Sequence, residues 1–335
     1  MPTPEPLPPL PQRLAVVVGQ VATIVVTWPL WNARDDALPL VPGPRFDLGW
    51  LLLLSCLAVL RWPVLATLVH WLLLALAILI DQTREQPQVL SLALLLLAAW
   101  PRRRAAAVIT LHLAALWFFA GFGKLTSARF LTVGGNWLLG GAAAIDAAAG
   151  TFTIGLAAVI TTAEVLCGLG LLLPRWRRRA AFAGGLLHLG ILGFLSPLCR
   201  DVNPAVWPWN ATLMVVAWVV PRPGERLLAQ RPARLAAALF VLLPVGFHLG
   251  LVDAPLAFQV YTQNVVRGLV VRVDGQVEVP AAPPALRVGL PPVARVLAVW
   301  FRRHAGPSDR LILVDDRPLA GWLGPREFVV RPEAR

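Results

Sequence analysis

Long apolar runs separated by short polar stretches make up most of the chain between residues 14 and 252. A helix rises about 1.5 Å per residue, so crossing a bilayer core takes about 20 mostly apolar residues. Several of the runs are short for a full crossing. The nine runs cover residues 14–31, 48–60, 63–80, 89–100, 105–121, 152–173, 180–197, 204–220 and 235–252. They lack the alternation of a membrane barrel, so the pattern predicts an all-α polytopic membrane bundle of about nine transmembrane helices.

The fourth run, residues 89–100, is the weakest of the nine. Its roughly 12 residues reach about 18 Å of a hydrocarbon core about 30 Å thick. It must therefore extend its span with flanking polar residues, pack inside the bundle, or enter and leave the membrane on the same side. Whether this run crosses the membrane decides on which side of the membrane the N-terminus lies.

Arginines distinguish the two sides of the predicted bundle. The exits of the even-numbered runs carry arginine clusters at residues 102–104, 175, 177–179, 222, 226, 231 and 234. The other exits hold fewer arginines and several aspartates, including Asp81, Asp146 and Asp201. Because Lys and Arg concentrate in cytoplasmic loops, the pattern predicts an inner-membrane protein with a cytoplasmic N-terminus and an extracytoplasmic C-terminus.

The chain changes character after about residue 253. The runs VVRGLVVRVDGQVEV and RLILVDDRPLAGW alternate apolar and polar positions, as strands do, and an amphipathic stretch at 293–304 lies between them. A small α/β region is expected. The predicted division is a disordered cytoplasmic leader at 1–13, a helical membrane domain at 14–252 and a small extracytoplasmic domain at 253–335.

Composition agrees with a membrane setting. Hydrophobic residues make up 57% of the chain and charged residues 14%, against roughly 25% charged residues in soluble domains. The net charge of +12 would favour nucleic acid only if basic residues gathered on a surface with a recognition motif. They lie between apolar runs instead, so we predict membrane lipids as partners and exclude nucleic acid. The three cysteines have no metal-site spacing, and no metal is expected.

Four ionisable residues fall inside apolar runs: His70, His112, Glu164 and His188. Ionisable groups at membrane depth are costly, which makes them candidates for function. Hydrogen bonding between helices is an equally ordinary use for them. The sequence leaves both interpretations open.

Lys124 is the only lysine among the 30 Lys and Arg residues. Burial can remove the charge of a lysine but not that of an arginine, so a solitary lysine indicates that a titratable amine matters. Snorkelling from a helix end is the alternative. Nearby Trp117, Phe118 and Phe122 offer either a flat wall for a planar lipophilic ligand or an aromatic belt at the membrane surface.

Polar groups also gather at other exits on the predicted side of Lys124. The segment DQTREQP contains Arg84, and CRDVNPAVWPWN contains Trp207 and Asn210. Surface loops are polar in any case, but convergence on one side makes these three residues candidates for cofactor binding.

The run FFAGFGKL resembles the lysine motif of the HTTM domain, which vitamin K-dependent gamma-carboxylase shares with many bacterial membrane proteins. By this resemblance Lys124 takes the place of the catalytic lysine base, and His188 in GGLLHLGILGFL resembles a later helix histidine. Glu164, DQTREQP and the VYTQN segment with Tyr261 resemble further family features. The similarity covers roughly residues 14–265, and DoxX-like membrane proteins share some of it.

The resemblance implies a reduced quinone as cofactor, deprotonated by a neutral Lys124 with His188, Glu164 and His112 in support. The small tail favours another class, a non-catalytic membrane subunit that binds lipid, quinone or a partner protein in or outside the membrane. A third class, the transporters, predicts paired halves with broken helices, and none is evident.

Overall fold

The computed structural model describes residues 7–134, 147–199, 203–221, 226–319 and 326–331. All nine predicted apolar runs contain helix. The helices are α1 (Leu10–Val26), α2 (Trp28–Trp31), α3 (Gly49–Ala58), α4 (Pro63–Ile80), α5 (Pro87–Leu95), α6 (Arg102–Leu125), α7 (Ala147–Leu172), α8 (Arg177–Leu195), α9 (Trp207–Val219), α10 (Arg231–His248) and, in the tail, α11 (Ala294–His304). Asp146, Asp201 and Arg222, which are named above, and also Trp137 lie outside the described residues.

Three helices in the described part of the chain are long and apolar enough to cross a membrane. They are Pro63–Ile80, Ala105–Leu125 and Phe152–Leu172. Leu10–Val26, Gly49–Ala58 and Pro87–Ala99 are apolar but shorter. Helix length and composition therefore support a membrane protein. They do not show the predicted total of nine membrane-crossing helices.

The fourth predicted run packs inside the bundle. α5 continues into a 3₁₀ turn at Leu96–Ala99, and the side chains of Leu92, Leu95 and Leu96 are fully buried. At about 1.5 Å per residue the combined element reaches only about 20 Å. Because this short element is packed among other helices, its length does not have to match the thickness of a bilayer.

Residues 10–13 are helical, although the sequence predicts them to lie in the disordered leader. They form the first turn of α1, with Pro11 near the helix start. Proline is tolerated there because the first backbone N–H groups of a helix have no intrahelical acceptor. Residues 1–6 lie outside the described part.

Helices α6 and α7 touch through glycines. A methyl group at Gly168 would lie 2.6 Å from the backbone nitrogen of Phe118, and one at Gly121 would lie 2.9 Å from the carbonyl oxygen of Thr161. Only glycine allows this approach, which is how helices associate closely in lipid. The contact sets α7 beside the C-terminal end of α6.

The predicted strands of the tail form a four-stranded antiparallel sheet. Its strands are β1 (Val266–Val271), β2 (Val277–Glu278), β3 (Arg310–Asp315) and β4 (Glu327–Val330), in the order β2-β1-β3-β4. Inward-facing Leu311 and Leu313 alternate along β3 and pack with Leu297 and Phe301 of α11. The amphipathic stretch predicted at 293–304 is thus the helix that covers the sheet.

The tail docks on one end of the bundle. Leu38, from a loop of the bundle, is buried in the tail's hydrophobic core, and Leu286 and Val288 pack with Leu30 and Trp31. We call this the tail end, and the opposite end, where α6 and α8 begin, the arginine-rich end.

Candidate functional site

Lys124 and Glu164 form an ion pair between α6 and α7. Lys124 Nζ lies 2.7 Å from Glu164 Oε2, and the two side chains are only 12% and 7% exposed. Lys124 is the penultimate residue of α6, whereas Glu164 lies within the apolar stretch Phe152–Leu172. A nearly buried charge pair in such a stretch is a candidate site.

This pairing bears on the predicted base. Lys124 Nζ donates to Glu164 Oε2, so a proton can pass directly between the amine and the carboxylate. The pair, rather than the lysine alone, is the chemical unit.

The segment after the last bundle helix caps α6 beside this pair. Asn264 Nδ2 donates to the carbonyl oxygen of Gly123 at 2.7 Å and to Thr126 Oγ1 at 3.2 Å. The last carbonyls of a helix lack intrahelical donors, so Asn264 supplies one. The VYTQN segment, which ends at Asn264, is thereby attached to the helix that carries Lys124.

His188 joins three helices through a chain of hydrogen bonds. Trp117 Nε1 of α6 donates to His188 Nε2 at 2.7 Å, and His188 Nδ1 lies 2.8 Å from Asn210 Oδ1 of α9. The indole can only donate, so His188 Nε2 must accept. The amide of Asn210 is oriented by its bond from Nδ2 to the carbonyl oxygen of Val206 at 2.8 Å. His188 is therefore neutral, with its proton on Nδ1.

This network supports the packing around the ion pair. Trp117 is fully buried, and a methyl group at Gly184 would lie 2.2 Å from its ring. Trp117 precedes Lys124 by seven residues, or about 10 Å along α6. His188 and Asn210, predicted as catalytic and cofactor-binding, therefore meet each other and hold the helices in register.

His112 lies apart from Lys124. Its Nε2 is 2.9 Å from Ser91 Oγ, and its ring packs against Phe240 and Phe258. Twelve residues of α6, about 18 Å, separate it from Lys124. The structure does not bring His112 to the ion pair.

Arg84 binds backbone oxygens at the tail end. It donates to the carbonyl oxygens of Leu30 at 2.8 Å, Asn32 at 2.9 Å and Ala77 at 3.3 Å. The side chain is almost fully buried. The donors of Arg84, a predicted cofactor-binding residue, thus hold the loop after α2 against α4. Trp207 lies on a surface between α1 and α9.

The aromatic residues before Lys124 point in different directions. Trp117 faces His188, while Phe118 and Phe119 line a groove of about 640 Å³ that we call the lateral groove. Phe122 stacks on Phe118 with ring centroids 5.9 Å apart. The lateral groove is lined by Leu111, Ala114, Ala115, Phe118, Phe119, Leu169, Leu172, Pro174, Arg177, Arg226, Leu227, Leu228, Ala237, Phe240 and Val241.

A second cavity, of about 280 Å³, lies where the tail meets the bundle. We call it the tail-end pocket. Its walls are Glu85–Gln88, Asn203, Val206, Ala254, Pro255, Gln259–Gln263, Val265 and Gly289–Pro292. It is separated from the ion pair by Gln259, which lines the pocket and packs on Gly123.

Glu85 carries the charge of this pocket. Arg295 of α11 donates to Glu85 Oε2 at 2.5 Å and also binds Asp253 and Gln82. Burial, assisted by the charge of Asp253 and opposed by Arg295, raises the pKa of Glu85 to about 7. One carboxyl can thus gain or lose a proton near neutral pH.

Arg84 in DQTREQP was predicted from the sequence as a candidate, but Glu85 was not. Asp253 and Arg295 were missed as well, because 210 positions separate Arg295 from Glu85. The available signal was a carboxylate in a polar run directly after an apolar helix.

Comparison of the chain with protein-family models, curated proteins and solved structures gives no match. The resemblance to the HTTM domain therefore remains a prediction from the motifs of this sequence.

Proposed function

We propose that this chain is a polytopic inner-membrane protein that binds a membrane amphiphile, a lipid or a quinone, in the lateral groove. In this proposal the arginine-rich end faces the cytoplasm, the tail lies outside, and about nine helices are embedded in the bilayer. The single observation that carries the binding function is the lateral groove itself.

The groove has the chemistry of an amphiphile site. Its volume of about 640 Å³ falls in the range of small-molecule sites, about 300–1,000 Å³. Leu111, Phe118 and Phe240 give it apolar walls, and Arg226 adds a cationic side chain. Arg177 also lines the groove, but it is buried and its Nε donates to the carbonyl oxygen of Leu171. Aliphatic or prenyl chains fit the walls, while guanidinium groups bind phosphate or a quinone carbonyl.

The test places a large side chain in the lateral groove. Ala115 and Ala211 line different apolar grooves, the lateral groove and one of about 430 Å³ between α1 and α9. Ala115→Trp and the matched control Ala211→Trp are purified in mild detergent beside the wild type. Co-purifying lipids and quinones are then quantified by mass spectrometry.

A specific site predicts one lipid or quinone class, retained by the wild type and Ala211→Trp and lost from Ala115→Trp. Equal retention by all three proteins, or equal loss from both variants, overturns the proposal, because binding would then not depend on the lateral groove.

One observation favours a second candidate, a quinone-dependent enzyme with the Lys124–Glu164 pair as base. Phe118 lines the groove and stacks on Phe122, two residues before Lys124. Aromatic rings thus lead from the groove toward the pair. Transfer of the Lys124 proton to Glu164 would leave a neutral amine, which would accept the hydroxyl proton of a reduced quinone.

Lys124→Arg tests this chemistry against Lys124→Ala. Oxygen uptake is measured after a reduced quinone is added to the purified protein. Arginine keeps the charge but does not act as a base at neutral pH, so both variants should lose the activity of the wild type. Activity in Lys124→Arg would exclude lysine as the base and leave the pair with a structural role.

A further inference from the structure

We propose that the tail-end pocket binds the ammonium group of a small organic amine. The amine is either a soluble molecule or the headgroup of a lipid, and the shared chemistry is a cation with several N–H donors. This site is separate from the lateral groove and does not depend on the function proposed for it.

The charge of the pocket wall favours a cation. Glu85 is the one charged residue among the described residues that line the pocket. Its carboxylate shares the guanidinium group of Arg295 with Asp253, so two carboxylates face one arginine. When Glu85 is ionised, this cluster carries an uncompensated negative charge. An ammonium group in the pocket would balance that charge through a charge-assisted hydrogen bond.

Gln259 adds a buried acceptor. The residue lines the pocket and is 6% exposed, and its Oε1 accepts no hydrogen bond from the described residues. Its Nε2 donates to the carbonyl oxygen of Ala257 at 3.3 Å, which orients the amide and leaves the oxygen without a donor. Gly123, on which Gln259 packs, has no side chain to donate. A buried polar atom without a partner is costly, and a donor in the pocket would supply the partner.

Two further amides of the pocket wall have the same polarity. Asn203 Nδ2 donates to the hydroxyl oxygen of Tyr261, and the buried Oδ1 of Asn203 has no donor among the described residues. Gln86 Nε2 donates to the carbonyl oxygens of Thr83 at 2.8 Å and Gly289 at 2.9 Å. In each amide the nitrogen is bound within the protein and the oxygen is left for a ligand. Such a wall accepts the hydrogen bonds that an ammonium group donates.

The rest of the wall favours an organic amine over a bare metal ion. The volume of about 280 Å³ is close to that of the smallest small-molecule sites, about 300 Å³. Val260, Val265 and Leu290 offer apolar contacts to an alkyl chain, and the ring of Tyr261 offers its face to a cation. The described part of the chain contains no group of three or more His, Cys, Asp or Glu residues that could hold a metal ion. An alkyl group with a terminal ammonium therefore matches this wall.

The probe is n-butylamine, an alkyl amine like that of lysine, whose pKa of about 10.4 keeps it protonated at neutral pH. The uncharged comparison is n-butanol, which has the same chain. Binding is measured by isothermal titration calorimetry on the full chain in phosphatidylcholine nanodiscs. The wild type should bind butylammonium saturably and n-butanol at least tenfold more weakly, since a hydrogen bond between charged groups is lost. The matched control Glu278→Gln, which removes an exposed carboxylate paired with Arg272, should bind butylammonium as the wild type does.

Three variants of the wall test its polarity. Glu85→Gln should bind butylammonium about tenfold more weakly, because it removes the charged acceptor. Gln259→Met keeps the length of the side chain, removes an acceptor and should weaken binding severalfold. Asn203→Asp should bind severalfold more tightly, because it adds a carboxylate at a left-handed position, φ 47°, that aspartate tolerates. Tighter binding cannot result from misfolding.

Binding should also follow the protonation of Glu85. The charged groups that act on Glu85 are Asp253 and Arg295, and its pKa is about 7. Glu85 is therefore mostly ionised at pH 8 and mostly protonated at pH 6. The wild type should bind butylammonium severalfold more tightly at pH 8, and Glu85→Gln should lose this difference.

Absence of saturable butylammonium binding by the wild type overturns the proposal, as does equal affinity for butylammonium and n-butanol. Unchanged affinity in all three variants of the wall also overturns it, because binding would then lie outside the tail-end pocket.

The source of the amine follows from the membrane composition. If a lipid headgroup fills the pocket, nanodiscs containing phosphatidylethanolamine should weaken butylammonium binding by the wild type more than by Glu85→Gln. Equal effects on both proteins would assign the site to a soluble amine.

Discussion

Lys124 Nζ and Glu164 Oε2 lie 2.7 Å apart across the contact between α6 and α7, where glycines bring the two helices together. The only lysine of the chain therefore has a dedicated carboxylate partner. The rate at which the Lys124 amine reacts with a reagent therefore reports whether the ion pair with Glu164 is formed.

Acylation of Lys124 should be slow in the wild type and several times faster in Glu164→Gln. The carboxylate of Glu164 holds the Lys124 amine in an ion pair, which a glutamine side chain cannot form. The rate is followed by mass spectrometry after treatment with acetic anhydride, with the amino terminus of the chain as internal reference. Equal ratios of acylated Lys124 to acylated amino terminus in the two proteins would contradict the pairing.

Asn210→Ala should destabilise the bundle by about 1–3 kcal/mol, because His188 Nδ1 loses its acceptor in a buried position. The measurement is thermal unfolding in detergent. Thr132→Ala, at an exposed helical position, is the control and should change stability by less than about 0.5 kcal/mol. An equally small effect in both variants would mean that the hydrogen-bond chain does not support the bundle.

Arg84→Lys should release the loop that follows α2. A single ammonium group cannot reach the three carbonyl oxygens that the guanidinium binds. Limited proteolysis should cut this loop, residues 33–46, severalfold faster than in the wild type. The matched control is Arg45→Lys, whose exposed arginine pairs with Asp35. Similar cleavage of both variants would argue against the role of Arg84.

Docking of the tail should weaken as pH rises from about 4.5 to about 7. The pKa of Glu85 is about 7 in the folded protein, against an ordinary value of 4.5. The folded state binds more protons between these values, so its stability falls with rising pH by at most about 3 kcal/mol and then levels off.

Thermal unfolding between pH 4 and 8 measures this slope, which Glu85→Gln should flatten. Glu278→Gln removes an exposed carboxylate that pairs with Arg272 and should keep the slope of the wild type. A Glu85→Gln protein with the full slope would show that another group is responsible.

Local pattern was enough to predict the helices and the strands of the tail. The helix α4, Pro63–Ile80, begins and ends where its apolar run does, because proline opens it and the polar run at Asp81 follows it. The strands β1 and β3 follow from alternation along the chain. Their order in the sheet depends on contacts that no short segment contains.

The candidate site was harder to predict, because it depends on which helix faces face each other. Lys124, Glu164 and His188 were all identified from the sequence. That Lys124 meets Glu164, while His188 meets Trp117 and Asn210, follows from close packing at Gly121, Gly168 and Gly184. Arg84 was predicted to bind a cofactor but binds backbone carbonyl oxygens. The local sequence around an arginine that follows a helix does not distinguish these two roles.

The tail-end pocket has a consequence for how the protein is made. Gln86 contacts Gly289 across 203 positions, and Arg295 reaches Gln82 across 213. During synthesis the first wall of the pocket leaves the ribosome long before the second exists. A chain that stops between Asp253 and α11 would therefore contain Glu85 and Asp253 but lack Arg295, leaving both carboxylates without their guanidinium partner.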